Sequence, residues 1–114
     1  MPVANIMSFT WSASGTKSDA IDLSGWSSAS LCGLFMPSTF TGTTLTFEAC
    51  DSLAGTYVPV QDGAGSSYSL TVGTSRYIPI TSLPVFYGTR FLKAVSGSSE
   101  AQGREIKAAV REIL

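Results

Sequence analysis

Apolar and polar positions alternate over short stretches of this chain, and small residues cut the stretches apart. Thr44-Leu45-Thr46-Phe47-Glu48-Ala49 alternates strictly, which puts Leu45, Phe47 and Ala49 on one face of a half-buried strand. Tyr68-Ser69-Leu70-Thr71-Val72 repeats the pattern with Tyr68, Leu70 and Val72 inward. Further strands are predicted over Ile6 to Trp11, Asp19 to Leu23, Arg76 to Ile80 and Arg90 to Val95. On Arg76 to Ile80 either Tyr77 or its neighbours Ile78 and Ile80 face the core. Leu31 to Met36 is a continuous apolar run stopped by Pro37, the pattern of a strand covered on both faces. Tyr57-Val58-Pro59-Val60 carries a proline that cannot donate to a ladder, so it belongs at a sheet edge. Asp62-Gly63-Ala64-Gly65 signals a hairpin. Short strands at this spacing describe a β-sandwich or barrel.

The C-terminal segment is readable in two ways. Ile106, Ala109, Val110, Ile113 and Leu114 fall at helical spacing, whereas Ile106, Ala108 and Val110 fall on one face of a strand. Taken alone, Arg104 to Leu114 favours a helix.

At 114 residues the chain has the length of one domain, 1–114, able to bury a modest core. Charged residues make up 13%, about half the usual ~25%, and none occurs from Leu23 to Phe47. A surface of Ser and Thr suits either a soluble β protein or one largely covered by partners, because charges are costly to desolvate in an interface core. The net charge of −1 and the scattered Lys and Arg argue against nucleic acid, which needs clustered cations. No stretch of about 18 apolar residues points to a membrane span. Met1-Pro2-Val3 lacks the basic start and long apolar run of a signal peptide, so synthesis in a cytoplasm is expected. Cys32 and Cys50 are expected to be free thiols.

Chemistry has little to work with. The chain has no His, which removes the Ser-His-Asp triad, the Cys-His pair and the commonest transition-metal ligand together. Phosphate-loop and nucleophile-elbow motifs are absent as well. A Ser-Lys dyad at Lys17-Ser18 fails because neighbours on a strand point to opposite faces. Glu48 and Asp51 read as a solvated strand position and a turn cap, not a glycosidase pair. Asp51 and Asp62 are few acids for a calcium site. Trp11, Trp26, Phe40 and Tyr87 offer faces for a sugar, but an aromatic beside a turn also plugs the end of a sandwich. The expectation is a protein that is not an enzyme, with no catalytic residue, no cofactor and no metal.

The order of the motifs adds a resemblance. Ser18 to Leu23, Leu31 to Pro37, Phe40 to Phe47, Gly55 to Val60, Tyr68 to Val72, Arg76 to Ile80, Gly88 to Gly97 and Ala101 to Ile106 follow one another as in a family of small tailed-phage virion proteins. Each motif describes only a strand and a turn; their order and spacing carry the likeness, which spans most of the chain from Ser18 onward. It implies an all-β, single-domain β-sandwich of about eight strands, jelly-roll-like or immunoglobulin-like. It also implies a final strand where the local spacing favours a short helix.

The resemblance further implies a place in the virion, as a decoration or cement protein that binds and stabilises the assembled capsid. The partners would be the major capsid protein or other virion proteins, together with copies of the chain itself in a trimer on a local threefold. A tail, baseplate or head-fibre component is the alternative within the virion, and a carbohydrate-binding host-attachment module the alternative outside it. Two apolar segments are interface candidates. Residues 1–9 form an uncharged N-terminal arm, with Pro2, Val3, Ile6, Met7 and Phe9, ordered only on binding. Val85, Phe86 and Tyr87 form an apolar loop. Their ordinary readings are a frayed terminus and a core-plugging loop.

Overall fold

The computed structural model describes residues 4–23, 29–81, 83–86, 89–100 and 102–112. Among them are nine strands: β1 Ala4–Trp11, β2 Ile21–Asp22, β3 Ala29–Phe35, β4 Thr44–Cys50, β5 Val58–Pro59, β6 Ser69–Thr71, β7 Tyr77–Pro79, β8 Phe91–Ser96 and β9 Arg104–Glu112. One 3₁₀ turn spans Leu83–Phe86. One sheet has the order β1-β9-β3-β7; the other has β2-β8-β4-β5, with β6 also on β4. The protein is an all-β sandwich of two antiparallel sheets.

The pairings are nested. β4 pairs with β5 and β6, β3 with β7, β2 with β8 and β1 with β9. A long antiparallel ribbon rolled over on itself has this connectivity, which is that of a jelly roll and not the sheet arrangement of an immunoglobulin domain. The ninth strand arises because the hairpin at Asp62 interrupts one long strand into β5 and β6. Its tip is held by the Asp62 carboxylate, which accepts from the Ala64 and Ser66 N–H groups at 2.8 and 3.1 Å.

Alternation puts Phe9 and Trp11 of β1, Leu45 and Phe47 of β4, Leu92 and Ala94 of β8, and Ile106, Ala108 and Val110 of β9 between the sheets, all fully or almost fully buried. Their neighbours point outward, as period-two geometry requires. The centre of the core is aromatic. Phe47 and Tyr68 meet the Phe86 ring edge-on at centroid distances of 5.1 and 5.4 Å, and Phe9 lies 6.1 Å from Phe47. Trp11 packs edge-on against Phe40 at 5.1 Å.

One open alternative is decided and two expectations change. The last segment, readable as strand or helix, is the strand β9, because it lies between β1 and β3 and its ladders on both sides outweigh a short helix's weak local preference. The N-terminal arm gives way from Ala4 onward to β1, which pairs with β9 from Ala4↔Arg111 to Trp11↔Arg104. The run Leu31 to Met36 is not covered evenly on both faces. A bulge at Cys32 shifts the register between Leu31↔Val110 and Gly33↔Ala109. Leu31 and Leu34 both point inward as a result, and Phe35 is left outward and 46% exposed.

Candidate functional site

The outward face of the β1-β9-β3-β7 sheet carries the site. Cross-strand register places Ile6 opposite Ala109, and Ala109 opposite Gly33. The next outward row runs Ser8, Lys107, Phe35, Tyr77. Ile6, Phe35 and Tyr77 are each about half exposed. Together with Cys32, Ala109 and Arg111 they line a shallow depression. The Phe35 and Tyr77 rings sit 4.7 Å apart at 52°, a tilted cross-strand pair. Tyr77 also lies over Gly33, where a Cβ would collide with its ring. Gly33 therefore makes room for the aromatic that closes one side of the depression.

The patch is apolar inside and polar at its rim. Ser8 Oγ donates to the Glu105 carboxylate at 2.7 Å, and Lys107 and Arg111 extend from β9. At the bulge Cys32 Sγ donates to the Ala109 carbonyl at 3.2 Å. Burial pushes the Cys32 thiol up, and Arg111 nearby only partly offsets this. The thiol therefore stays protonated at neutral pH and is a poor nucleophile. Cys50 lies on β4 of the other sheet, and both cysteines are free.

Of the expected interface residues, only Ile6 belongs to this patch. Met7 points inward against the core, and Phe9 is fully buried. Val85 packs partly on the core, and Phe86 is its central plug. Phe9 and Phe86 are thus not surface residues, since an aromatic ring gains more from the sandwich interior than from water. Pro2, Val3 and Tyr87 lie outside the described residues. Phe35 and Tyr77 escaped sequence reading because the bulge reversed the parity of β3. On β7 the pattern left Tyr77 and Ile78 open as the inward residue, and Ile78 is the buried one.

The chemical candidates do not converge. Lys17 pairs with Glu48 at 3.1 Å on the surface. Ser18 is buried, donates to the Asp19 carbonyl and accepts from the Ala94 N–H. Asp62 is committed to its turn, and Asp51 is exposed. Among the described residues no three of Cys, Asp and Glu come together as a metal site. Trp11 and Phe40, two of the aromatics considered for a sugar, are in the core; Trp26 and Tyr87 are outside the described residues.

One functional-looking group went unnoticed in the sequence. Glu100 is fully buried. Its carboxylate accepts from the main-chain N–H of Thr41 (2.8 Å) and Gly42 (3.0 Å), from Ser96 Oγ (3.1 Å) and from Arg104 Nε (3.2 Å). Burial acts to raise its pKa, but these bonds outweigh burial and hold it below the ordinary glutamate range. Its main chain also accepts from Ser14 N–H and donates to the Gly15 carbonyl. With every bond directed at the protein itself, Glu100 is a structural clamp joining the loop after β1, the loop before β4, and the start of β9. No motif marks such a residue, because the partners of its carboxylate alone lie up to 59 positions away.

No protein-family model matches the chain, and no curated protein matches it. Among solved structures, a chain from the disulfide-linked pili formed by Bacillus endospore appendages aligns with 99% of this chain and 88% of its own length, at 20% identity and a TM-score of 0.49.

Proposed function

We propose that this protein is a non-enzymatic structural component of a phage virion that decorates the assembled capsid and stabilises it. The observation that carries the reading is the aromatic and aliphatic patch of Ile6, Phe35, Tyr77 and Ala109 that lines a shallow depression on the outward face of the β1-β9-β3-β7 sheet. Large side chains held half-exposed on one face, inside a polar rim, mark a surface that meets another protein. The resemblance of the ordered strand motifs to small tailed-phage virion proteins supports reading that partner as the major capsid protein or another virion protein. Jelly rolls serve as capsid and lectin domains, an analogy that agrees with the reading at the level of fold only.

The mechanism is mass action. A domain that binds the assembled shell, and not the free subunit, lowers the free energy of the shell alone. Repetition over many sites adds avidity to a contact of ordinary size.

The test is sedimentation of the purified protein with expanded, empty phage shells. Saturable co-sedimentation at a fixed ratio to the capsid subunit, with a raised shell-disruption temperature, is the expected result. The double variant Phe35→Ser/Tyr77→Ser should lose it while keeping a cooperative melt. Absence of binding by the unmodified protein would sink the capsid reading.

A further inference from the structure

The four sheet edges are not alike. β7 is three residues long and ends in Pro79; β5 and β6 share one edge and are two and three residues long, with Pro59 in β5; β2 is two residues long and ends in Asp22. These are the usual defences of an edge: brevity, proline and charge. β1 has none of them. It runs for eight residues as Ala-Asn-Ile-Met-Ser-Phe-Thr-Trp, with no proline, no charge and no bulge against β9.

The direction of its main chain follows from two hydrogen bonds. The Thr10 carbonyl accepts from the Asp19 N–H, away from β9. The Ala109 carbonyl is turned to β3, where it accepts from the Cys32 Sγ beside its partner Gly33, so Ile6 opposite Ala109 makes no ladder bond to β9. A residue's N–H and C=O leave a strand on the same side. Ala4, Ile6 and Ser8 therefore present their N–H and C=O groups at the open edge, and among the described residues nothing there bonds to them.

We propose that this edge pairs with β1 of a second copy, antiparallel about a two-fold axis at Ile6. In that register Ile6 faces Ile6 of the other copy, and Ala4 faces Ser8 in both directions. Every open main-chain group from Ala4 to Ser8 then finds a partner, about six hydrogen bonds in all at two per facing pair. An isologous contact sets each residue near its own equivalent, so a charge on the strand would meet its like. The uncharged β1 avoids this, and the net charge of −1 adds little repulsion between whole copies. The two four-stranded sheets become one sheet of eight. The two Ile6 side chains meet on its outer face and join the apolar patches of both copies.

This pairing gives a closed two-fold, not the threefold that the resemblance implies, and it stands independently of the capsid reading. It is tested by sedimentation equilibrium of the full chain across a concentration series. The unmodified protein should be a dimer. Ile6→Pro removes only an outward N–H, so it leaves the β1–β9 ladder intact and deletes two bonds across the axis. It should weaken the dimer by at least about tenfold. Ile6→Lys places like charges at the axis and should weaken it similarly, with the monomer still melting cooperatively. A monomer or trimer for the unmodified chain, or a dimer that survives both substitutions, overturns the proposal.

Discussion

Two side chains concentrate the energetics at the scale of single residues. Phe86 is fully buried in the middle of the sandwich, edge-on to both Phe47 and Tyr68. Phe86→Ala should cost ~3–5 kcal/mol in a chemical-denaturation experiment, the usual cost of deleting a buried ring. Glu100 works differently, because its stabilisation depends on charge. Its folded-state pKa lies below its unfolded value, so folding favours the ionised form. That contribution is complete above the ordinary glutamate pKa and is lost as pH falls through the folded pKa. Glu100→Gln should lower stability by ~3 kcal/mol at neutral pH, since it leaves buried donors without an anionic acceptor. Its deficit against the unmodified protein should shrink as the solution is acidified below the glutamate range. A deficit that stayed constant in acid would mean that packing, not charge, is what the substitution removes.

At the scale of elements, the fold rests on β9 and on the bulge in β3. β9 is bonded on both sides, and β1 only on one. In the dimer both edges of β1 are paired; in the monomer alternate residues are free. Amide hydrogen exchange should therefore find Met7 and Phe9 protected in either state. Ile6 and Ser8 should be protected only at concentrations that favour the dimer. The bulge at Cys32 places Leu31 and Leu34 inward and leaves Gly33 beneath the Tyr77 ring. Gly33→Ala should push Tyr77 off the sheet and break its contact with Phe35. That displacement is readable as a change in tyrosine environment by near-ultraviolet circular dichroism. A spectrum identical to that of the unmodified protein would show that the ring does not depend on the missing Cβ.

At the scale of the whole molecule, the two proposed contacts share one surface. The outer face of the β1-β9-β3-β7 sheet ends at the β1 edge, so a second copy there extends the apolar face without covering it. The Phe35 and Tyr77 end of the patch lies across the sheet from the axis and stays open. The dimer is therefore compatible with binding to a shell. Phe35→Ser/Tyr77→Ser should leave the sedimentation equilibrium of the free protein unchanged while abolishing association with shells. Loss of both at once would merge the two surfaces into one.

Much of this was legible along the chain because a strand writes its burial into the sequence with period two. Leu45, Phe47, Tyr68 and Val72 could be assigned to the core from alternation alone, and the proline in β5 marked an edge. The lack of imidazole narrows the chemistry from the sequence alone. What remained hidden depends on contacts between distant positions. The direction of Phe35 turns on a one-residue bulge that hydropathy does not register. The strand at Arg104 to Glu112 exists because β1 and β3 supply ladders that a local pattern cannot see. The clamp at Glu100 is built from groups on separate loops. The open edge of β1 is defined only by the order of strands, since an edge is a property of the sheet and not of the strand. Sequence by itself determined the elements and most of their inward faces; only the tertiary structure decided which of those elements border solvent, because pairing partners are chosen in space.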